Sequence, residues 1–364
     1  MADPWPDLPL PLRRSPMAPN TASDGGLRKI RGCLRECLQI GRKAPLMKVV
    51  KALEILLPGP LTTVQDLGRY GFGCYGVPPS GAIDFFALRA ANLIAGNAGG
   101  EACLEITLTG LKARILTDLT LAVTGGDLQP RLNGHPLSMW EGHSAKPGDI
   151  LSFKGTKSGC RAYLSLGGGI SLEPVLGSRS TNISSGFGGP EGRALRKGDV
   201  LYSESPHLHL GRAGVSLDKD RIPHYGQEWS LRVLPGPQHE DFPGTAMGLF
   251  MSSSYAVTQQ SDRTGIRLSG PPLHRSTGLA ESIISEGVVP GAIQVPGDGQ
   301  PIIILVETIT GGYRKIATMI SADLPLLGQM KPGDRVKFVE VSREAALEAL
   351  RISEEILRSI GDSG

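Results

Sequence analysis

Three clusters of polar residues beside glycines carry the chemistry this chain offers. The first is Gln65, Asp66 and Arg69 among Gly68, Gly71 and Gly73. Polar groups bunched beside glycines do not build a core; they cap turns or face a ligand. A guanidinium oriented by a carboxylate can grip a carboxylate or ureido group through two parallel bonds. Asp66 is also a candidate for proton handling. Asp84 follows the same block and reads either as a ligand group or as the N-cap of a helix.

The second cluster runs from Gln259 to Leu268 and holds Asp262, Arg263 and Arg267. On a strand, positions 263 and 267 share a face. Two such cations suit an anionic ligand, with Asp262 a second proton handler; the alternative is a charged outer strand face. The third cluster is Thr310-Gly311-Gly312-Tyr313-Arg314-Lys315. Paired glycines let backbone N–H groups approach an oxygen closely, as in an oxyanion hole. The Tyr313 hydroxyl can donate to the same atom. The alternative is a glycine hairpin with a packed aromatic.

Other patterns exclude functions. Gly167-Gly168-Gly169 and Gly186-Phe187-Gly188-Gly189 do not fit the dinucleotide fingerprint, and no phosphate-loop motif or nucleophile elbow occurs. Met330-Lys331 is similar to a biotin-acceptor pattern, but Pro332 and Gly333 make it a turn. Five cysteines without Cys-x-x-Cys and seven histidines without ligand spacing predict a reducing compartment and no metal. With no signal-peptide pattern at the start, the expected location is cytoplasmic. The formal charge of +3 is too small to imply nucleic acid or an anionic membrane. Residues 1–46 carry +4 of it, which leaves the remainder at −1.

The elements that must position these clusters are mostly strands. The 364 residues include 49 Gly and 28 Pro, which favours many turns and few long helices. Residues 1–46, with few large apolar side chains, read as a disordered extension, with Met47 as the functional start. A buried strand is expected over Val49–Leu57. Further strands are expected at 103–107, 113–116, 119–123, 150–153 and 162–166. One helix should start at Asp84 and stop at Gly96. A second, amphipathic through Leu347, Leu350 and Leu357, should run from about Arg343 to Ile360.

Two turns recur. Leu57-Pro58-Gly59-Pro60 returns at 234–237, and Lys146-Pro147-Gly148-Asp149 returns at 331–334. Pro fixes φ and Gly accepts positive φ, which suits a type II turn. The repetition predicts an all-β protein of two related barrel-like units, residues 48–225 and 226–341, followed by a helix and tail over 342–364.

In this order the blocks resemble the carboxyltransferase-type family of the 5-oxoprolinase C subunit, KipA and the matching region of urea amidolyase. The resemblance rests on Thr62-Thr63-Val64-Gln65-Asp66-x-Gly68-Arg69, Ser80-Gly81-Ala82-x-Asp84 and Leu104-Glu105-Ile106-Thr107. Ser261-Asp262-Arg263-x-Gly265-x-Arg267, Gly291-x-Ile293-Gln294-Val295-Pro296 and Gly311-Gly312-Tyr313 complete it. It implies cyclophilin-like barrels and a 5-oxoprolinase complex with a KipI-like subunit and a LamB/YcsF-type subunit. The complex would use ATP, for which this chain has no motif, to open 5-oxoproline to glutamate. In the urea carboxylase branch the fold moves a carboxyl group to urea, and biotin enters only as a carrier on another protein. A KipA-like chain would instead bind a kinase inhibitor without catalysis. A stand-alone module for a small carboxamide is a third reading. Val306, Thr308, Ile309 and Thr310 stand where many members carry Asp-x-Gln-Thr-Thr, and Arg314 replaces a proline. The resemblance therefore does not fix 5-oxoproline as the substrate.

Overall fold

The computed structural model describes residues 49–361. The expected extension over 1–46 and the start at Met47 lie outside the described residues. The first strands, in chain order, are β1 (Val49–Pro58), β2 (Leu61–Gln65), β3 (Cys103–Thr107), β4 (Leu111–Ile115), β5 (Leu119–Gly125) and β6 (Pro130–Leu132). After them come β7 (His135–Pro136), β8 (Gly142–Ala145), β9 (Ile150–Phe153), β10 (Arg161–Leu166) and β11 (Val200–Glu204). They form two sheets, ordered β11-β1-β4-β9-β6-β7 and β2-β3-β10-β5-β8. One apolar core joins them: Leu53, Ile55 and Leu151 from the first sheet meet Val64, Leu104, Ile106 and Leu164 from the second. Side chains alternate along a strand, so only every second residue reaches this core. Each fully buried Leu or Ile there contributes about 1.5–3 kcal/mol.

Helix α1 (Phe85–Ala95) packs on the other face of the five-stranded sheet. As the sequence predicts, Asp84 caps it, accepting from Ala87 N at 2.8 Å, and Gly96 ends it at φ +87°. Alanines at 87, 90, 91 and 95 are fully buried, which lets the helix lie close to the sheet.

The second unit is a closed barrel. Its strands are β12 (Glu228–Pro235), β13 (Tyr255–Val257), β14 (Gly265–Ser269), β16 (Ala292–Val295), β17 (Ile302–Ile304), β19 (Arg314–Met319) and β20 (Arg335–Glu340). They run in the order β12-β19-β16-β17-β14-β13-β20, closed by the parallel pair β12 and β20. The short strands β15 (Glu286–Gly287) and β18 (Thr310–Gly311) pair outside it. Helix α2 (Gly244–Ser252) packs against β20, where Phe250 stacks on Phe338 at 4.4 Å. Helix α3 (Arg343–Gly361) leaves the barrel and buries Leu357 and Ile360, while Leu347 stays exposed.

The all-β reading holds. The barrel is one of the two units; the other is a layered pair of sheets. Both Lys-Pro-Gly-Asp turns behave as read: Gly148 and Gly333 sit at φ +94° and +93°, and each Asp N–H returns to the Lys carbonyl. Gly236 of the second Leu-Pro-Gly-Pro does not share the positive φ of Gly59. A Cβ there would strike the Lys315 carbonyl, so close approach selects that glycine.

Candidate functional site

The five-stranded sheet turns a polar face towards α1 and the barrel. Thr63, Glu105 and Tyr163 are cross-strand neighbours on it, and Gln65 lies two residues along from Thr63. Glu105 is the hub. Its Oε1 accepts from Arg263 Nη1 at 2.6 Å and lies 3.6 Å from Arg161 Nε. Its Oε2 accepts from the Tyr163 hydroxyl at 2.8 Å and from Ile83 N at 3.2 Å. Arg263 also donates to Glu307 at 2.7 Å and to the Gly81 carbonyl at 2.6 Å.

The seam continues through Asp84. Its Oδ2 accepts from Tyr225 at 2.9 Å and from Gln329 at 2.7 Å. Gln329 in turn accepts from the N–H groups of Cys160 and Arg161. Burial raises the Asp84 carboxyl to about 6, with Glu105 adding to the rise and its hydrogen bonds opposing it. Burial, then the neighbouring carboxylates, pushes the Tyr163 and Tyr225 phenols well above their ordinary value. Both phenols therefore act as donors. Buried charges are tolerated only when paired and hydrogen-bonded, and here the pairs fasten the sheet to the barrel.

Arg263 and Arg267 do not share a face. Strand β14 begins only at Gly265, so the alternation that would align them does not reach residue 263. Arg263 is buried with its whole fork engaged, whereas Arg267 is exposed. Asp262 is exposed too, and its Oδ1 accepts from Thr264 N at 2.7 Å and Gly265 N at 3.2 Å, which makes it the cap of a turn.

Gln65, Asp66 and Arg69 do come together, around the segment 175–181. Asp66 accepts from Gly68 N (2.8 Å), Ser178 Oγ (2.6 Å), Arg179 N (2.6 Å) and Ser180 Oγ. Both its oxygens are spent on holding that segment. Arg69 is 2% exposed. Its Nε donates to the Val175 carbonyl at 3.3 Å and its Nη2 to the Ser180 carbonyl, and the Phe187 ring lies 4.7 Å from the guanidinium carbon. Nη1 has no hydrogen-bond partner among the described residues. Burial pushes this guanidinium below its ordinary value, opposed by the charges of Asp66 and Glu307. Gln65 donates to Thr63 Oγ1 (3.0 Å) and the Thr181 carbonyl (3.1 Å), and its Oε1 is likewise without a partner. Beside this group lies a pocket of about 530 Å³, lined by segments 172–175 and 186–192.

The third cluster sits elsewhere on the barrel. Gly311 pairs with Glu286, and a Cβ on it would collide with the Gln294 amide. The Gly312 carbonyl accepts from Ile283 N at 2.8 Å. Tyr313 is 39% exposed. Lys315 is buried and paired with Glu286, while Arg314 pairs with Asp241 at 2.7 Å. These glycines serve close packing of Gln294 and the 283–286 segment.

Sequence reasoning missed Glu105, Arg161, Tyr163, Glu307, Gln329 and Phe187 as members of the seam and pocket. For Glu105 a signal existed: a lone acid in the middle of the apolar run Cys103–Thr107. Glu307 and Gln329 reach the seam through tertiary folding, which no local pattern announces. Among the described residues, no group of three or more His, Cys, Asp or Glu stands ready to hold a metal, and no helix is long and apolar enough to cross a membrane.

The carboxyltransferase domain, subdomain A and B, matches residues 75–340. The 5-oxoprolinase C subunit of Escherichia coli K12 is 40% identical over 303 residues, which cover 82% of this chain and 94% of that protein. Its counterpart in Haemophilus influenzae is 33% identical over 309 residues, 85% of this chain and 97% of that one. The crystal structure of the Kluyveromyces lactis urea amidolyase superposes with a TM-score of 0.80 at 32% identity. That match covers 92% of this chain and only 22% of the amidolyase.

Proposed function

Because the chain belongs to the carboxyltransferase domain family of subdomains A and B, we propose that it is the C subunit of a 5-oxoprolinase-type complex. The observation that carries this reading is the match itself: the chain is 40% identical to the Escherichia coli C subunit along 94% of that protein, against 32% identity to the urea amidolyase structure. The reaction proposed is ATP-dependent hydrolysis of a cyclic amide, in which the ring C–N bond breaks, water supplies the new carboxylate oxygen, and 5-oxoproline becomes glutamate.

The geometry supports a division of labour. Asp66 and Asp262, the acids of the polar clusters, are engaged as turn and loop anchors. The Arg69 fork is two-thirds spent on carbonyls, and Glu173 and Glu191 line the adjoining pocket. The chain has no phosphate-loop motif, and we assign ATP activation to the partner subunits, one KipI-like and one of LamB/YcsF type. This chain holds and orients the amide. Carboxyl transfer from a carboxybiotin carrier is the second reading, favoured by the superposition on the amidolyase.

The test is reconstitution with both partner subunits. ATP- and 5-oxoproline-dependent glutamate release that disappears when this chain is omitted is the expected result. Equal release without it would refute the assignment; transfer from carboxybiotin to urea, with no glutamate formed, would favour the second reading.

A further inference from the structure

We propose that Lys315 and Gln238 form a binding site for the carboxylate of a small organic acid, and that the Glu286 side chain fills it in the free chain. The proposal rests on the amide-processing reading above and deepens it by naming the groups that take the carboxylate of 5-oxoproline.

Two donors converge on one oxygen. Glu286 Oε1 accepts from Lys315 Nζ and, at 2.8 Å, from Gln238 Nε2. Gln238 is itself held in place, since its Oε1 accepts from the Lys315 backbone N–H at 3.1 Å. That bond turns the amide nitrogen towards the oxygen that the ammonium grips. An ammonium and an amide N–H aimed at one point suit a carboxylate oxygen. Lys315, and after it Gln238, hold the Glu286 carboxyl below its ordinary value.

The two halves of this contact are fixed to different degrees. Lys315 belongs to β19, which runs between β12 and β16 in the closed barrel, and its side chain is 6% exposed. A lysine buried this far requires an anion beside it. Glu286 lies on β15, two residues long, which pairs with the equally short β18 and with no barrel strand. Its side chain is 45% exposed, and nearby Ile284 is 92% exposed. A two-stranded ribbon is marginal by itself, and exposed side chains change rotamer within nanoseconds. The carboxylate is therefore the exchangeable half. The Gln238 bond to it lies at the surface, so a ligand carboxylate reaches the same donors from solvent once the Glu286 side chain swings out.

Gly311 and Gln294 seat the ribbon. Gly311 is the register partner of Glu286, and a Cβ on it would strike the Gln294 amide. Gln294 stands directly opposite Lys315 across the pair of β16 and β19, so their side chains share a face. The bare backbone at 311 lets the ribbon settle on this face and brings Glu286 within reach of Lys315.

The test is calorimetry on the full chain, alone and with its partner subunits, without ATP. The probes are 5-oxoproline (lactam with carboxylate), 2-pyrrolidone (the same ring without it) and acetate. A site that its own side chain fills for about nine-tenths of the time binds a competing carboxylate about tenfold more weakly. The neutral amide of Glu286→Gln competes poorly for an ammonium. This variant should therefore tighten acetate and 5-oxoproline at least about tenfold and leave 2-pyrrolidone unchanged. Adding Lys315→Met, which keeps the apolar stem and removes the charge, should abolish that gain; if the double variant fails to fold, the single variant decides the matter. A pair that only fastens the ribbon predicts that Glu286→Gln lowers the unfolding midpoint and tightens no carboxylate. That result, or equal tightening of 2-pyrrolidone, would overturn the proposal. Acetate tightened by Glu286→Gln, with no ATP-dependent glutamate release by the reconstituted complex, would keep the site and remove the 5-oxoprolinase reading. Release with the KM for 5-oxoproline unchanged in both Glu286→Gln and Lys315→Met would remove the site and keep that reading.

Discussion

Arg263→Met and Arg267→Met should differ sharply, although the two arginines stand four residues apart and look alike in sequence. Arg263 lies between two nearly inaccessible carboxylates, Glu105 at 2.6 Å and Glu307 at 2.7 Å, whose side chains are 2% and 4% exposed. Methionine fills similar volume but leaves Glu307 without its cation and Glu105 with Arg161 alone, 3.6 Å away. Removing one partner of a buried pair costs about 3–5 kcal/mol. With an unfolding entropy near 2.1 cal/mol/K per residue over the described part of the chain, that cost lowers Tm by roughly 5–8 °C. Arg267 is exposed, and its replacement should stay within about 0.5 kcal/mol, or roughly 1 °C. Adding Glu105→Gln to Arg263→Met should recover part of the loss, because one carboxylate then needs no cation. The assay is thermal unfolding followed by circular dichroism at neutral pH. Equal shifts for the two single variants, or a shift below about 1 °C for Arg263→Met, would refute the account of the seam.

Asp84→Asn tests the pH dependence. The folded-state carboxyl is raised to about 6 by burial, so its contribution to stability is full below the unfolded value of about 4 and is lost as pH rises through 6. The Tm of Asp84→Asn relative to the parent should therefore move in the variant's favour between pH 4 and about 6.5; a constant difference across that window would contradict the raised value. Gly311→Ala should cost about 1–3 kcal/mol, because its methyl overlaps the Gln294 amide. Urea unfolding midpoints check this, and a loss below about 0.5 kcal/mol would mean that the segment yields freely.

The strands and the capped helix were legible because local chemistry decides them. Asp84 and Gly96 mark the ends of α1 as side-chain acceptor and left-handed stop, and the two Pro-Gly-Asp turns hold their glycines at positive φ. The repeated turns did not tell a closed cylinder from two layered sheets. That difference lies in long-range pairing, such as β12 with β20 across more than a hundred residues. At the site, Gln65, Asp66 and Arg69 were visible as a group, but which of their atoms stay unpaired depends on segment 175–181. The pairing of Arg263 with Arg267 failed because strand periodicity was extended two residues beyond the strand. Glu307 and Gln329 lie far from Glu105 and Asp84 in the chain, and only the packed structure brings them together.

Helix α3 is the last element among the described residues, yet it reaches back to the first unit. Glu354 forms a two-pronged pair with Arg89 of α1 at 2.5 and 2.8 Å, and the Ile360 carbonyl accepts from Arg212. The clasp ties α1 to the helix that leaves the barrel, so a chain cut before residue 343 is expected to uncover the outer flank of α1 and to be cleaved there sooner under limited proteolysis.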